Sequence, residues 1–351
     1  MKQTMKHLSM GLALSLAGFA NQGLAQSTPQ QVAGSGWQAL TNAAPSVAVN
    51  GTTEYVAWKS ETSQKIMISA LNGGAWTTPA VVGGTNAGST WTAETVSSPA
   101  LAVDDTTGYL WLAWTNPSSE DIYVSTLVNG AWTYREAVGG SGWKAETWKY
   151  GAPALSGGHG ISLAWVGHSS QDIWYAYWNY PGWSTQQTVS GSGWTAQSEG
   201  APPGWTQAEL VQGLGSISTL FWNDPSGDVL MSNDFPFGWT EAAGVACDGW
   251  TATVFGNSTP AAAYFILNGN FYAAVFWIES SNGLLEYSYT TGSGCGFADP
   301  ATVGGSGSPF LAPAVAIGPT VSILEWTKPN GPHTINSTIW YLDPTTLSGL
   351  N

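Results

Sequence analysis

The sequence predicts an all-β protein, and within that class a six-bladed β-propeller of four-stranded antiparallel blades, on three observations. Charged residues make up 9% of the chain while Gly reaches 44 and Trp 21, a composition of short strands and tight turns. A short aliphatic motif ending in Trp recurs as "YVAW", "WLAW", "SLAW", "TLFW", "AVFW" and "ILEW", placing Trp58, Trp114, Trp165, Trp222, Trp277 and Trp326 at intervals of 56, 51, 57, 55 and 49. Finally, "STPQQVAGSGW" at Ser27 matches "STQQTVSGSGW" at Ser184 in eight of eleven places, so the chain starts with a copy of a segment that elsewhere ends a repeat. No stretch keeps a helical apolar period.

Each repeat reads in the same order. A strand such as "SPALAV" precedes the Trp strand. An aliphatic residue (Ile66, Ile122, Ile173, Val229, Leu285, Ile335) then opens a third strand, and a turn leads to Trp76, Trp132, Trp183 or Trp239 and a fourth. One four-stranded sheet cannot bury both of its faces, so such units stack radially. The last repeat runs out near "TIWYLDPTT", and residues 27 to 33 are expected to supply its outer strand, pairing the two chain ends.

Residues 1–25 carry Lys2 and Lys6, an apolar stretch from Leu8 to Ala20, and "GLA" before Gln26, the layout of a secretory signal peptide. The expected organisation is a signal peptide over 1–25 and one propeller domain over 26–351, secreted to the periplasm or the cell exterior, with no membrane insertion. Losing two of the 8 basic residues and none of the 22 acidic ones takes the net charge from −14 to −16, which argues against nucleic acid or an anionic membrane as partner. Cys247 and Cys295, in an exported chain, are expected to form a disulfide, worth about 4 kcal/mol for a loop of this length.

The candidate site residues lie in the connections between repeats. "GSGWQALT", "STWTAETV", "GSGWKAET", "GSGWTAQS" and "CDGWTATV" present Trp37, Trp91, Trp143, Trp194 and Trp250 from Gly-rich loops. In an antiparallel meander these loops and the polar ones joining strands 2 and 3 emerge on one face. The indoles either plug the wedge between blades or contact a ligand. For the second role an indole face stacks on the C–H face of a pyranose while carboxylates take its hydroxyls, and Glu94, Glu146 and, at a longer spacing, Glu199 stand near their Trp residues. The expected partner is a glycan, and no cofactor or metal is called for. The strand-2 Trp residues and Trp76, Trp132, Trp183 and Trp239 read as structural.

Over nearly the whole mature chain, repeats such as "GYLWLAWTNPSSEDIYVSTLVNGAWTYREAVGGSGW" resemble the blades of secreted propeller lectins of the fungal fucose-binding type, and more distantly the sialidase-like propellers. The resemblance implies a propeller fold, glycan binding and pockets between blades. It also implies an Arg, a Glu and an aromatic residue in each fucose pocket, and an arginine triad in a sialidase. The chain has Arg135 alone, so neither constellation is present.

Two other readings stay open. A glycan-processing enzyme would act through a carboxylate placed in an apolar strand, with Glu209, Glu286 and Glu325 as candidates and a deep central pocket as its mark. In a protein-binding scaffold, the loop Trp residues would only seal the blades. His159, His168 and His333 have no metal-ligand spacing, no G-x-S-x-G surrounds a serine, and "VDDTTG" at Val103 reads as a hairpin rather than a calcium loop.

Overall fold

The computed structural model describes residues 25–26, 30–86, 88–158, 160–198, 204–209, 216–235, 238–247, 249–254, 258–267, 270–290, 296–304, 306, 309, 311–317, 322–327 and 334–341. The expected signal peptide before Ala25, His159, Glu199, Cys295 and His333 fall outside them. None of the described residues is helical.

The chain is a β-propeller. Its sheets are antiparallel meanders, five of them five-stranded and one, from Ala261–Leu267 to Ala301–Thr302, four-stranded. The innermost strands Ser46–Asn50, Ala100–Asp104, Ala154–Ser156, Gly204–Glu209, Ala261–Leu267 and Ala314–Ile317 neighbour one another in a closed cycle. The sheet at the C-terminus is completed from the other end of the chain, because Ala25–Gln26 and Gln30–Gln31 both pair with Ile335–Tyr341.

The expectation of uniform four-stranded sheets is corrected at the outer edge, where one strand is split in two. Leu71 pairs with Trp76 and Ile68 with Ala80, so the outer strand carries one more residue than its partner. The same one-residue excess separates Leu127–Trp132 from Val124–Glu136, Trp178–Trp183 from Tyr175–Gln187, and Asp234–Trp239 from Met231–Ala243. This is a β-bulge, and side chains hold it. The Ala70 N–H donates to Thr77 Oγ1 (3.0 Å) while Ser69 Oγ donates to the Thr77 carbonyl (2.7 Å); Thr133 with Ser125 and Thr240 with Ser232 repeat the arrangement. Small hydroxyl residues at these positions are therefore the reason the edge breaks there.

The core lies between sheets. Trp114, Trp165, Trp222 and Trp277 are fully buried and Trp58 nearly so, as their place in the second strand requires. Burying each such indole is worth roughly 2–3 kcal/mol in transfer free energy. The aliphatic residue that opens strand 3 is bonded on both sides by the next connection: the Ile122 N–H donates to the Ala145 carbonyl and its carbonyl accepts from Val138 N–H, with Ile66, Ile173 and Val229 doing the same. "VDDTTG" is a hairpin, with Val103 opposite Leu110 and the Asp104 carboxylate accepting from Thr106 N–H and Thr107 Oγ1.

Candidate functional site

Among the described residues, the connection after five of the six sheets begins with a hairpin. Gly34 pairs with Trp37, Gly140 with Trp143, Gly191 with Trp194, and Cys247 with Trp250; Gly36, Gly142, Gly193 and Gly249 turn the chain at φ between 80° and 91°. In the hairpins with a leading glycine, that glycine makes room for the indole: a Cβ on Gly140 would stand 2.5 Å from Trp143 Nε1, and one on Gly191 2.3 Å from Trp194 Nε1. Each Trp thus lies flat across its own hairpin.

The far face of the indole is covered by the next sheet. Trp91 stacks on Trp114 (6.1 Å, 1°), Trp143 on Trp165 (6.3 Å, 3°), Trp194 on Trp222 (6.4 Å, 4°) and Trp250 on Trp277 (6.2 Å, 4°), while Trp37 packs into the cluster holding Trp58. Trp91 is 8% exposed; the others are partly buried. These residues fill the wedge between sheets.

The carboxylates stand elsewhere. Trp91, Ala93 and Thr95 are buried while Glu94 is exposed, and Ala145 and Thr147 are buried while Glu146 is exposed. A three-residue spacing in extended backbone puts two side chains on opposite faces, so Trp91 and Glu94 do not share a surface, nor do Trp143 and Glu146. The backbones of Glu94 and Glu146 bridge to Lys65 and Asp121, which places the strand 2–3 loops and the sheet-to-sheet connections on one face.

The sequence reading missed a larger space between the first two sheets. A cavity of about 550 Å³ is lined by Tyr55, Ile68, Ala70, Thr77, Ala80 and Val81 of one sheet, Gly83–Thr85 of the hairpin that carries Trp91, and Leu127 and Trp132 of the next sheet. Aromatic and aliphatic walls are joined there by the hydroxyls of Ser69, Thr77, Thr78 and Thr85, and no charged side chain lines it among the described residues. Its volume falls in the range of small-molecule sites.

Equivalent grooves farther round the ring are filled. Register aligns Ile68, Ala70 and Ala80 with Tyr175, Tyr177 and Gln187, and Leu127 with Trp178 and Asp234. Between the second and third sheets, Trp111, Trp178 and Trp183 pack together at 5.3 to 6.4 Å. Between the third and fourth, Tyr177 Oη donates to the Asp234 carboxylate, Tyr175 Oη donates to Gln187 Oε1 (2.9 Å), and Trp239 meets Tyr175 edge-on at 5.2 Å. Burial raises the pKa of both Tyr177 and Asp234. The open groove has Leu127 where Trp178 fills the next interface, and Ile68, Ala70 and Ala80 where Tyr175, Tyr177 and Gln187 fill the one after it.

The acids proposed for catalysis are not gathered. Gly204, not Glu209, occupies the position of Ala100, since Gly204 pairs with Phe221 as Ala100 does with Ala113. Glu209 lies five residues on, at the far end of its strand opposite Ser216. Glu286 accepts an exposed hydrogen bond from Asn282 Nδ2 (3.0 Å), and Glu325 pairs with Ala314 and Ser337 in its strand. The spaces along the ring axis, lined by Pro45, Pro99, Pro153, Pro260 and Pro313 at one end, measure about 130 and 170 Å³. Among the described residues no group of His, Cys, Asp and Glu is placed to hold a metal. A buried acid that sequence reading passed over is Glu54, 3% exposed, whose Oε2 has no hydrogen-bond partner and whose pKa burial raises to about 7.

No protein-family model and no curated protein matches the chain. Solved structures do. The Aleuria aurantia lectin bound to Fucα1-6GlcNAc aligns at 12% identity over 85% of this chain and 92% of that one, with a TM-score of 0.59. The SapL1 lectin bound to α-methyl fucoside aligns at 12% over 86% and 94% (TM-score 0.62), and the intramolecular trans-sialidase of Ruminococcus gnavus at 10% over 87% and 96% (TM-score 0.59). The chain therefore shares the propeller fold of fucose-specific lectins and of sialidases.

Proposed function

We propose that this protein is a secreted carbohydrate-binding propeller of six blades that takes a neutral saccharide in the groove between its first and second sheets. The observation that carries the reading is the cavity of about 550 Å³ walled by Trp132 and Tyr55 and edged by Ser and Thr hydroxyls, a chemistry that covers sugar C–H faces and pairs their hydroxyls. The lectins of like fold were solved with fucosides, which supports a glycan as ligand class. In this reading Trp91 backs the groove through its hairpin, the indole edges that the sheets leave uncovered at Trp37, Trp143, Trp194 and Trp250 serve as weaker sugar contacts, and Glu94, Glu146 and Glu199 are the candidate partners for sugar hydroxyls. A disulfide joining Cys247 to Cys295 and export behind residues 1–25 are parts of the same proposal.

The test is a glycan array probed with the protein and with Trp132→Ala. Glycan signals that fall at least about fivefold in a variant with unchanged melting support the groove, that factor being the loss of one stacking contact. Signals indifferent to Trp132→Ala would remove it as the site.

A further inference from the structure

The connection between the second and third sheets differs from its neighbours. From the hairpin Trp to the proline that opens the next inner strand, it runs from Trp143 to Pro153, two residues longer than Trp91 to Pro99. The longer segment, "TWKYGAP", puts Trp148 and Tyr150 on the surface at 49% and 72% exposure. Among the described residues these are the only large exposed hydrophobic side chains that share one loop.

Neither end of that loop is slack. Trp148 Nε1 donates to the Gly167 carbonyl (3.0 Å), Gly151 N–H closes a turn onto the Trp148 carbonyl (2.7 Å), and Thr115 Oγ1 donates to the Gly151 carbonyl (2.7 Å). The facing loop is fixed in turn: His168 N–H donates to the Glu146 carbonyl (3.2 Å) and His168 Nδ1 lies 2.9 Å from Glu120 Oε2. Thr147 is buried between Glu146 and Trp148, so these two share the outward side that Glu146 and Trp143 do not. Lys149 Nζ stands 5.8 Å from the Tyr150 ring centre.

We propose that Trp148 and Tyr150 form a second glycan-binding platform on the loop face, with the pinned indole stacking on a sugar ring and Glu146 and His168 meeting its hydroxyls. The ligand class rests on the carbohydrate-binding reading above. Holding an indole half exposed through its own N–H forgoes burial but removes the ordering cost of a ligand contact. Two aromatics interspersed with Glu, His and Lys suit a sugar. A stable protein interface buries on the order of 800 Å² on each partner and wants an apolar centre, which one loop does not offer.

The array separates the two sites. The protein, Trp148→Ala, Tyr150→Ala and Trp132→Ala are compared, each with its melting curve, and Trp148→Phe serves as the conservative control. Glycans lost in Trp148→Ala and Tyr150→Ala, kept in Trp132→Ala and retained in Trp148→Phe establish the platform, with signal falling at least about fivefold for one lost stack. Glycans lost only in Trp132→Ala overturn the platform and leave the groove standing, and glycans bound by every variant overturn both. Failure of the unmodified protein to bind any glycan removes both, and points to a protein partner for the exposed loop.

Discussion

The indole of Trp143 lies 6.3 Å from that of Trp165 and within 3° of parallel to it, so a hairpin leaving one sheet is laid against the second strand of the next. The contact depends on Gly140, where any Cβ would meet the Trp143 ring at 2.5 Å. Gly140→Ala is expected to lower stability by about 1–3 kcal/mol, the usual cost of overpacking, whereas Ser141→Ala at the exposed turn should leave it within about 0.5 kcal/mol. Urea unfolding with a common m-value checks both. Equal midpoints for the two variants would show that the hairpin adjusts without strain.

The open groove can be closed from within. Ala70 occupies the register position of Tyr177, which helps to fill the groove two interfaces on. Ala70→Tyr should abolish Trp132-dependent glycan binding while the melting temperature stays within a few degrees, because the new ring enters space that already exists. Calorimetric titration with an array-selected glycan measures it. Unchanged affinity would place the sugar elsewhere.

Glu54 gives a pH signature. Its carboxyl titrates at 4.5 in the unfolded reference and at about 7 when folded, because burial opposes its ionisation. Below pH 4.5 both states are protonated and there is no penalty. As pH rises through 4.5 the unfolded chain ionises first, stability falls, and the loss is complete above pH 7 at about 3 kcal/mol. Glu54→Gln should therefore match the protein at pH 4 and exceed it at pH 8. Stability differences that do not change with pH would show that Glu54 is not confined when folded.

Across the third and fourth sheets, Tyr177 donates to Asp234. Burial pushes the Asp234 pKa up, and the tyrosine's hydrogen bond pulls it back. Tyr177→Phe should raise that pKa further, so its destabilisation, about 1–3 kcal/mol, is larger at pH 8, where the unpaired carboxyl must ionise or hold its proton, than at pH 4. A double-mutant cycle with Asp234→Asn at both pH values isolates the pair. A coupling near zero at both would mean that the two groups hold each other only loosely.

Periodicity made the architecture readable. Trp58, Trp114, Trp165, Trp222 and Trp277 were placed in the core by spacing alone, and all are buried there. The chain-end closure was readable too, because "STPQQV" copies an outer strand. The place of Glu209 was not legible, because an irregular repeat sets it five residues beyond Gly204, an offset that only pairing with the Trp strand resolves. The link between Trp91 and Glu94 failed for a geometric reason: a short spacing in sequence separates side chains when the backbone is extended. The groove left no motif, since it is defined by what Ile68, Ala70 and Ala80 lack. Trp148 lies in a longer connection, but its exposure follows from Thr147 turning inward, which composition does not reveal.

Gln26 pairs with Trp340, more than three hundred residues away, and Gln30–Gln31 pair with the same C-terminal strand. A chain emerging in order from a ribosome or a translocation channel makes the first of these partners long before the second. Every other sheet can assemble from neighbouring sequence, but this one waits until residues 335–341 have emerged, so its final joint is made across the ring. Until then the ring stands as an open arc with two unpaired edges, and the interval in which it is exposed to self-association is set by the length of the polypeptide.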